Sequence, residues 1–296
     1  MDDYSTNLNN LNSDDSEKQI AGLAFFAACD ETMLSDEAVG RLVKLAESAP
    51  KHISNIAASI ISRSLSSKEH KVVAAPLMYK LQNAPSNEIS IRELDWATKL
   101  NNPAFKKALE VYLERCDEPR HISWLVKNLP KAYPDLTMLP LLTSFLTYGD
   151  DRIVGNTIEG LENINDPAVV SIFAQMLGHA SARVRSMAAE ALSRVHHEKA
   201  SKALAAMLQR HKDPGTIKSA CYAIRQMQDS DLTELLIPLL HYPETRDEAA
   251  QTIAHLSLQK INALFFHKAI RNSHDIQKLL ASSVIDLLQK SFVSEK

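Results

Sequence analysis

An internal repeat of about 31 residues constrains this chain more than any other feature of its sequence. Residues 152–161 (RIVGNTIEGL) align with residues 183–192 (RVRSMAAEAL), 31 positions later. In both segments an apolar or small residue recurs in steps of three and four, which predicts one buried face of an amphipathic helix. Related segments lie at 57–61, 220–224 and 249–253. A repeat of this length predicts a stacked array in which each unit packs only against its neighbours.

Helix start signals divide the chain into short helices. A capping Asn or Asp precedes a proline at Asn102-Pro103, Asp166-Pro167 and Asp213-Pro214, a pair typical of the first turn of a helix. Leucine-rich segments lie between the repeated ones, so each unit reads as two antiparallel helices. The second helices are predicted to begin near residues 51, 88, 119, 150, 181, 214, 244 and 273. We therefore expect about eight helix pairs, preceded by one helix at roughly 14–29.

Composition supports an all-α chain with three regions. Only seven of the 296 residues are glycine, well below the usual share of about 7 %. Residues 1–13 are rich in Asn, Asp and Ser, and they predict a flexible polar and acidic tail. Residues 14–132 predict irregular helical repeats, with Pro130 at an apolar anchor position. Residues 133–296 predict regular repeats that continue the same solenoid.

The repeat itself resembles a known family. Residues 181–192 carry Val184-Arg185 followed by Ala191-Leu192, and residues 150–153 keep the acidic turn and the apolar anchor. In this pattern the chain is similar to the HEAT-repeat family, including its bacterial HEAT-like members. The resemblance implies a right-handed α-solenoid whose second helices line the concave surface. Armadillo repeats are longer than this period, and TPR units need large aromatic residues that are absent here.

Catalytic signatures are absent from the sequence. It contains no H-E-x-x-H, G-x-S-x-G or P-loop motif. His196-His197-Glu198 could suggest zinc, but adjacent helical positions point in different directions, so we expect no metal site. HEAT-like DNA glycosylases use Trp and Asp residues, yet Asp95-Trp96 and Trp124 lack a surrounding basic stripe, and packing roles are expected. No feature selects the HEAT-type phycobilin lyases. We expect no enzyme activity and no cofactor.

Charge is unevenly distributed along the chain. Residues 181–228 contain nine Lys and Arg and three Asp and Glu, a net charge of +6, whereas residues 1–50 contain three and ten, a net charge of −7. The whole chain is at −3, so nothing drives it as a whole toward nucleic acid or an anionic membrane. The acidic and basic regions could also meet between copies of the chain, so self-association is an open alternative.

The basic segment supplies the candidate site. If Val184, Ala188 and Leu192 face inward, charged residues on the second helices face outward. The candidate partner-binding residues are Arg185, Glu190, Arg194, Lys218, Tyr222 and Arg225. They predict a groove for a protein or an acidic peptide segment, or else a solvated face without a partner. The chain is thus expected to be a non-enzymatic scaffold or adaptor. The alternative is a nucleic-acid-binding HEAT-like protein.

The expected location is the cytoplasm. Cys29, Cys116 and Cys221 are odd in number and far apart in the sequence, a usage typical of reduced thiols. The sequence contains no run of about 18 apolar residues, so no membrane span is expected. The first residues, Met-Asp-Asp-Tyr, lack the basic and apolar regions of a secretory signal.

Overall fold

The computed structural model describes residues 3–195, 197–210, 213–228, 230–256, 270 and 272–294. Throughout this described part the regular structure is helical. The helices fall into two compact units, the first ending at Leu141 and the second beginning at Leu142. The all-α solenoid fold predicted from the repeat is confirmed.

The first unit contains eight helices and the start of a ninth. They are α1 (Asp3–Asn10), α2 (Ser16–Ala28), α3 (Asp36–Ser48), α4 (Lys51–Ser67), α5 (Lys71–Asn83), α6 (Ile91–Lys99), α7 (Pro103–Arg115), α8 (Pro119–Ala132) and α9 (Leu139–Ser144). Helix α3 packs on α5 and α5 on α7, while α4 packs on α6 and α6 on α8. First and second helices therefore form separate layers, with the apolar core between them.

The second unit repeats this arrangement. Its helices are α10 (Asp151–Leu161), α11 (Pro167–Met176), α12 (Ala182–Arg194), α13 (His197–Arg210), α14 (Pro214–Met227), α15 (Thr233–Leu236), α16 (Arg246–Leu256) and α17 (His274–Ser294). Helices α10, α12, α14 and α16 pack in sequence as the second-helix layer, and α11, α13 and α15 pack as the first-helix layer.

The second helices begin close to their predicted positions. They start at residues 51, 91, 119, 151, 182, 214, 246 and 274, each within three residues of the prediction. Capping explains several of these starts, since the carboxylates of Asp150 and Asp213 accept hydrogen bonds from backbone amides in the first turns of α10 and α14. The count of eight pairs stays a prediction, because residues 257–269, where the last first helix would lie, are outside the described residues.

The amino-terminal segment differs from its prediction. The flexible tail expected over residues 1–13 is wrong for residues 3–13, which form α1 and a turn packed on α2. Tyr4 contacts the rings of Phe25 and Phe26, with centroids 6.2 and 5.2 Å apart, and Leu11 is 1 % exposed. The apolar residues 4, 8 and 11 are spaced as one helix face, a signal hidden by the polar residues around them.

Gly22 allows α1 to approach α2 closely. A Cβ atom at this position would lie 3.0 Å from the backbone oxygen of Asn7 and 3.1 Å from Leu11 Cδ2. Gly22→Ala is therefore expected to weaken the docking of α1 by about 1–3 kcal/mol, as overpacking does. Hydrogen exchange measured by mass spectrometry should then be faster in residues 3–13. Gly149→Ala is the control, because nothing lies within 4 Å of its Cβ position. Unchanged exchange in Gly22→Ala would contradict this packing.

Two further expectations concerned membrane-spanning helices and the state of the cysteines. None of the helices described here is long and apolar enough to cross a membrane. The three cysteines are free thiols. Cys221 is buried, which raises its pKa to about 12, whereas Cys29 and Cys116 lie at helix ends and are partly exposed.

Candidate partner-binding face

The candidate residues lie on α12 and α14, adjacent helices of the second-helix layer in the second unit. Val184, Ala188 and Leu192 are fully buried, as the repeat pattern predicted. Because these three residues face the core, the other positions of α12 turn toward the surface or toward the neighbouring helices. We call the outward surface of α12 and α14 the second-helix face.

Arg185 is held by the backbone of its own repeat. Its Nη1 donates hydrogen bonds of 2.8 Å to the carbonyl oxygens of His179 and Ala180, in the turn that precedes α12. Its Nη2 lies against the start of α14, where a Cβ at Gly215 would be 2.6 Å away. The side chain therefore joins the turn before α12 to the first turn of α14. This contact uses donors that the sequence had assigned to a partner.

Arg194 joins α12 to the end of α10. It is 52 % exposed and donates to Glu162 at 3.0 and 3.2 Å, and it also pairs closely with Glu190 one turn earlier. Burial raises the pKa of the Glu162 carboxyl, and the hydrogen bond from Arg194 opposes that rise. Two of the three candidate residues on α12, Glu190 and Arg194, are thus brought together with Glu162, which was not among the candidates.

Arg225 joins α14 to α16 in a similar way. It forms a close ion pair with Glu248 and donates a hydrogen bond of 2.9 Å to the hydroxyl of Thr252, which is fully buried. Glu162 and Glu248 both lie outside residues 181–228, so counting charges along that segment could not include them. The face is therefore a set of paired charges, and it is less basic than the net charge of +6 suggested.

Lys218 and Tyr222 differ from the arginines. They lie four residues apart on α14 and so project from the same side of the helix. Lys218 is exposed and Tyr222 is half-buried. Neither side chain has a hydrogen bond or an ion pair with another residue in the part of the chain that the structure describes. These two side chains are the members of the candidate set that remain available to a partner.

Of the residues weighed for enzyme chemistry, Trp96 takes a packing role, whereas Asp95 is half-buried and lines an open pocket that Arg63, Arg92 and Lys99 also line. Trp96 is 5 % exposed, and its indole Nε1 donates to the carbonyl oxygen of Ala58 at 3.4 Å. Asp95 accepts a hydrogen bond of 2.7 Å from Ser62. His196 lies outside the described residues. Within those residues, no three His, Cys, Asp or Glu side chains are grouped as metal ligands.

Comparison with a family model identifies the repeats on which this face is built. The model of HEAT repeats matches residues 139–216 and 172–256, which together include all six candidate residues. Residues 139–256, about two fifths of the chain, are therefore similar to HEAT repeats. The Val184-Arg185 pair falls inside both matches, and α10 to α16 are helices of the matched region. No curated protein sequence matches the chain.

Solved structures similar to the chain include the following three. An engineered protein has 19 % sequence identity, with 96 % of this chain and 88 % of that chain covered and a TM-score of 0.39. Kap121p has 12 % identity, with 95 % and 41 % covered and a TM-score of 0.43. A chain in the structure of the complex of CpcE and CpcF of phycocyanin lyase from Nostoc sp. PCC7120 has 17 % identity, with 86 % of this chain and 97 % of that chain covered and a TM-score of 0.40.

Proposed function

We propose that this protein is a non-enzymatic interaction module that binds a partner protein through the second-helix face. The observation that carries the proposal is the pair Lys218 and Tyr222, which project side by side and lack intramolecular partners within the described residues. Tyrosine and arginine are enriched among the residues that dominate binding energy at protein interfaces. The partner would present an acidic segment with an apolar side chain near Tyr222.

The ion pairs made by Arg194 and Arg225, near Lys218 and Tyr222, support the proposal. Arg194 is held by Glu162 and Glu190, and Arg225 is held by Glu248. Long side chains that are already fixed lose less conformational freedom when a partner binds. The face would thus be preorganised around a central lysine and tyrosine.

Nucleic acid fits this face less well. Phosphate binding depends on cations that can replace the counterions of the phosphate backbone. Arg194 and Arg225 are instead paired with carboxylates, which would repel phosphates, and Arg185 is engaged with backbone carbonyls. A fluorescence anisotropy titration at low salt would therefore show no binding of DNA or RNA. Binding there would favour the nucleic-acid alternative.

The same pairing bears on self-association. A head-to-tail contact between the acidic residues 1–50 and the basic residues 181–228 of another copy would need unpaired cations on the basic side. Because two of the arginines are already paired, we expect a monomer. Light scattering across a salt series tests this, and a dimer that dissociates as salt is added would contradict it.

Affinity capture with paired variants tests the proposed face. Lys218→Glu combined with Tyr222→Ala should weaken partner binding by about 2 kcal/mol or more, roughly 30-fold, if these residues are central to the interface. Tagged wild-type and variant proteins would be used to capture proteins from the native host, and the captured sets compared by mass spectrometry. A protein captured by the wild type should be lost in the double variant.

Lys199→Glu is the matched control. Lys199 is exposed on α13, in the first-helix layer of the same unit, so its reversal makes the same change in charge away from the proposed face. This variant should capture the same proteins as the wild type. Circular dichroism should show equal helix content in all three proteins. Capture that is equal in the double variant and the wild type would contradict the proposal.

A further inference from the structure

A second surface of the HEAT repeats contains an apolar cavity. It has a volume of about 330 Å³ and lies between the end of α13, the start of α14 and the segment 234–245. This volume falls within the range of cavities that hold large parts of a ligand. Its apolar walls are formed by Leu208, Ile217, Leu235, Pro238, Leu239 and Tyr242. Neither Lys218 nor Tyr222 of the second-helix face lines it.

The early end of an α-helix produces this cavity. The first helix of this repeat, α15, ends at Leu236, and the chain continues as a 3₁₀ helix over Ile237–His241 that includes Pro238. Proline has no amide hydrogen to donate and disfavours a continued α-helix. The short helix leaves Leu235 half-buried, while Leu239, 7 % exposed, forms a buried part of the wall. Tyr242, 54 % exposed, forms one edge of the opening.

The described walls are mostly apolar, and the exposed polar side chains of the lining are Gln209, Glu234 and Glu244. Thr245 is the buried polar side chain of the lining, and its hydroxyl donates to the carbonyl oxygen of Leu239 at 3.1 Å. An occupant therefore gains from removing apolar surface from water and needs no polar group inside the cavity. A single large apolar side chain, aromatic or aliphatic, meets this requirement.

The charges at the opening determine which residues can flank that apolar side chain in a bound segment. Glu234 and Glu244 line the cavity, and both are exposed. In the described part of the chain neither carboxylate has an ion pair or a hydrogen bond. Among the described residues that line the cavity, the two charged ones are both acidic, so the opening favours positive charge on either side of the apolar group.

We propose that this cavity binds a peptide segment in which one large apolar side chain is flanked by lysine or arginine. The apolar side chain enters between Leu235, Leu239 and Ile217, and the flanking cations contact Glu234 and Glu244. This binding site is separate from the second-helix face, where the available side chain is a lysine and the expected partner is acidic. The two proposals can therefore fail or succeed independently.

Three tripeptides test the proposal on the full-length protein. The probes are acetyl-Lys-Trp-Lys-amide, acetyl-Glu-Trp-Glu-amide and acetyl-Lys-Ala-Lys-amide, each titrated to millimolar concentration against protein carrying ¹³C-labelled Ile, Leu and Val methyl groups. The methyl signals of Ile217, Leu235 and Leu239 should shift with the first peptide. The other two peptides should bind at least about tenfold more weakly. The Glu-Trp-Glu peptide lacks the flanking cations, and the Lys-Ala-Lys peptide lacks the large apolar side chain.

A charge-reversed variant gives the deciding comparison. Glu234→Lys combined with Glu244→Lys should bind the Glu-Trp-Glu peptide better than the Lys-Trp-Lys peptide, a gain that unfolding cannot mimic. Glu114→Lys combined with Asp117→Lys reverses two exposed acids in the first unit and should bind like the wild type. The proposal is overturned if no methyl signal of these three residues shifts, if the three peptides bind equally, or if the reversed variant keeps the original preference.

Discussion

Replacing Phe173 with alanine is expected to lower the free energy of unfolding of the second unit by about 3–5 kcal/mol, the usual cost of removing a buried phenyl ring. Phe173 is 0 % exposed and lies on α11, in the first-helix layer. Helix α11 packs on α12 and α13, and stacked repeats are stabilised mainly by contacts with their neighbours. The void left by the phenyl ring should therefore loosen α12 and α13 as well. Urea unfolding, followed by hydrogen exchange of peptides from α11 to α13, measures the loss.

Two comparisons make this prediction specific. Phe173→Leu keeps most of the apolar volume and should cost much less than the alanine variant. Ile285→Ala removes an apolar side chain that is 53 % exposed and should change stability by less than about 0.5 kcal/mol. An alanine variant at Phe173 that is as stable as Ile285→Ala would show that α11 does not pack as described.

Replacing Arg185 with alanine is expected to cost about 2–3 kcal/mol. The substitution removes two charge-assisted hydrogen bonds and leaves the carbonyl oxygens of His179 and Ala180 without them, and bonds to charged groups contribute about 1.5–3 kcal/mol. Arg185→Lys should recover only part of the loss, because an ammonium group lacks the planar set of donors. Urea unfolding of the three proteins gives the comparison.

Gly215→Ala tests the same contact from the other side. The added methyl group would lie 2.6 Å from Arg185 Nη2, so the guanidinium must move and its hydrogen bonds must weaken. In a protein that already carries Arg185→Ala, Gly215→Ala should cost little more, because the guanidinium that the methyl group would displace is absent. Fully additive effects would contradict a role for Gly215 in holding Arg185.

The order of the helices could be predicted from the sequence because the signals are local. Capping residues before prolines mark α7, α11 and α14, and the buried stripe of α12 follows directly from its spacing. The start of α6 was predicted three residues early. A capping box between Ser90 and Glu93 fixes it, and the pattern Ser-x-x-Glu could have located it.

The surface chemistry could not be predicted in the same way. Periodicity gives the face on which Arg194 and Arg225 lie, but it does not show which carboxylates of neighbouring helices they reach. Glu162 precedes Arg194 by 32 residues and Glu248 follows Arg225 by 23, so no single spacing predicts both pairs. The partner-binding role of the six candidate residues stays a prediction, with Arg185, Arg194 and Arg225 also engaged inside the chain.

The apolar cavity also depends on a detail that the repeat pattern obscured. Segment 232–240 is one of the leucine-rich segments that lie between the repeated ones and predict a first helix, whereas the α-helix covers only Thr233–Leu236. Pro238 was the available signal, since proline inside a helical pattern usually ends or bends the helix. Its consequence, a cavity between three helices, requires the packing of the neighbouring repeats and cannot be read from residues 232–240 alone.

Site-specific photocrosslinking at Tyr222 tests the proposed interaction face most directly. Benzoylphenylalanine would replace Tyr222 in the full-length protein, and in a matched variant it would replace Lys199 on α13. After irradiation in the native host, we expect a covalent adduct with another protein at position 222 and none at position 199. Addition of Lys218→Glu should reduce the adduct at 222. No protein adduct at position 222, or equal adducts at both positions, would contradict the account.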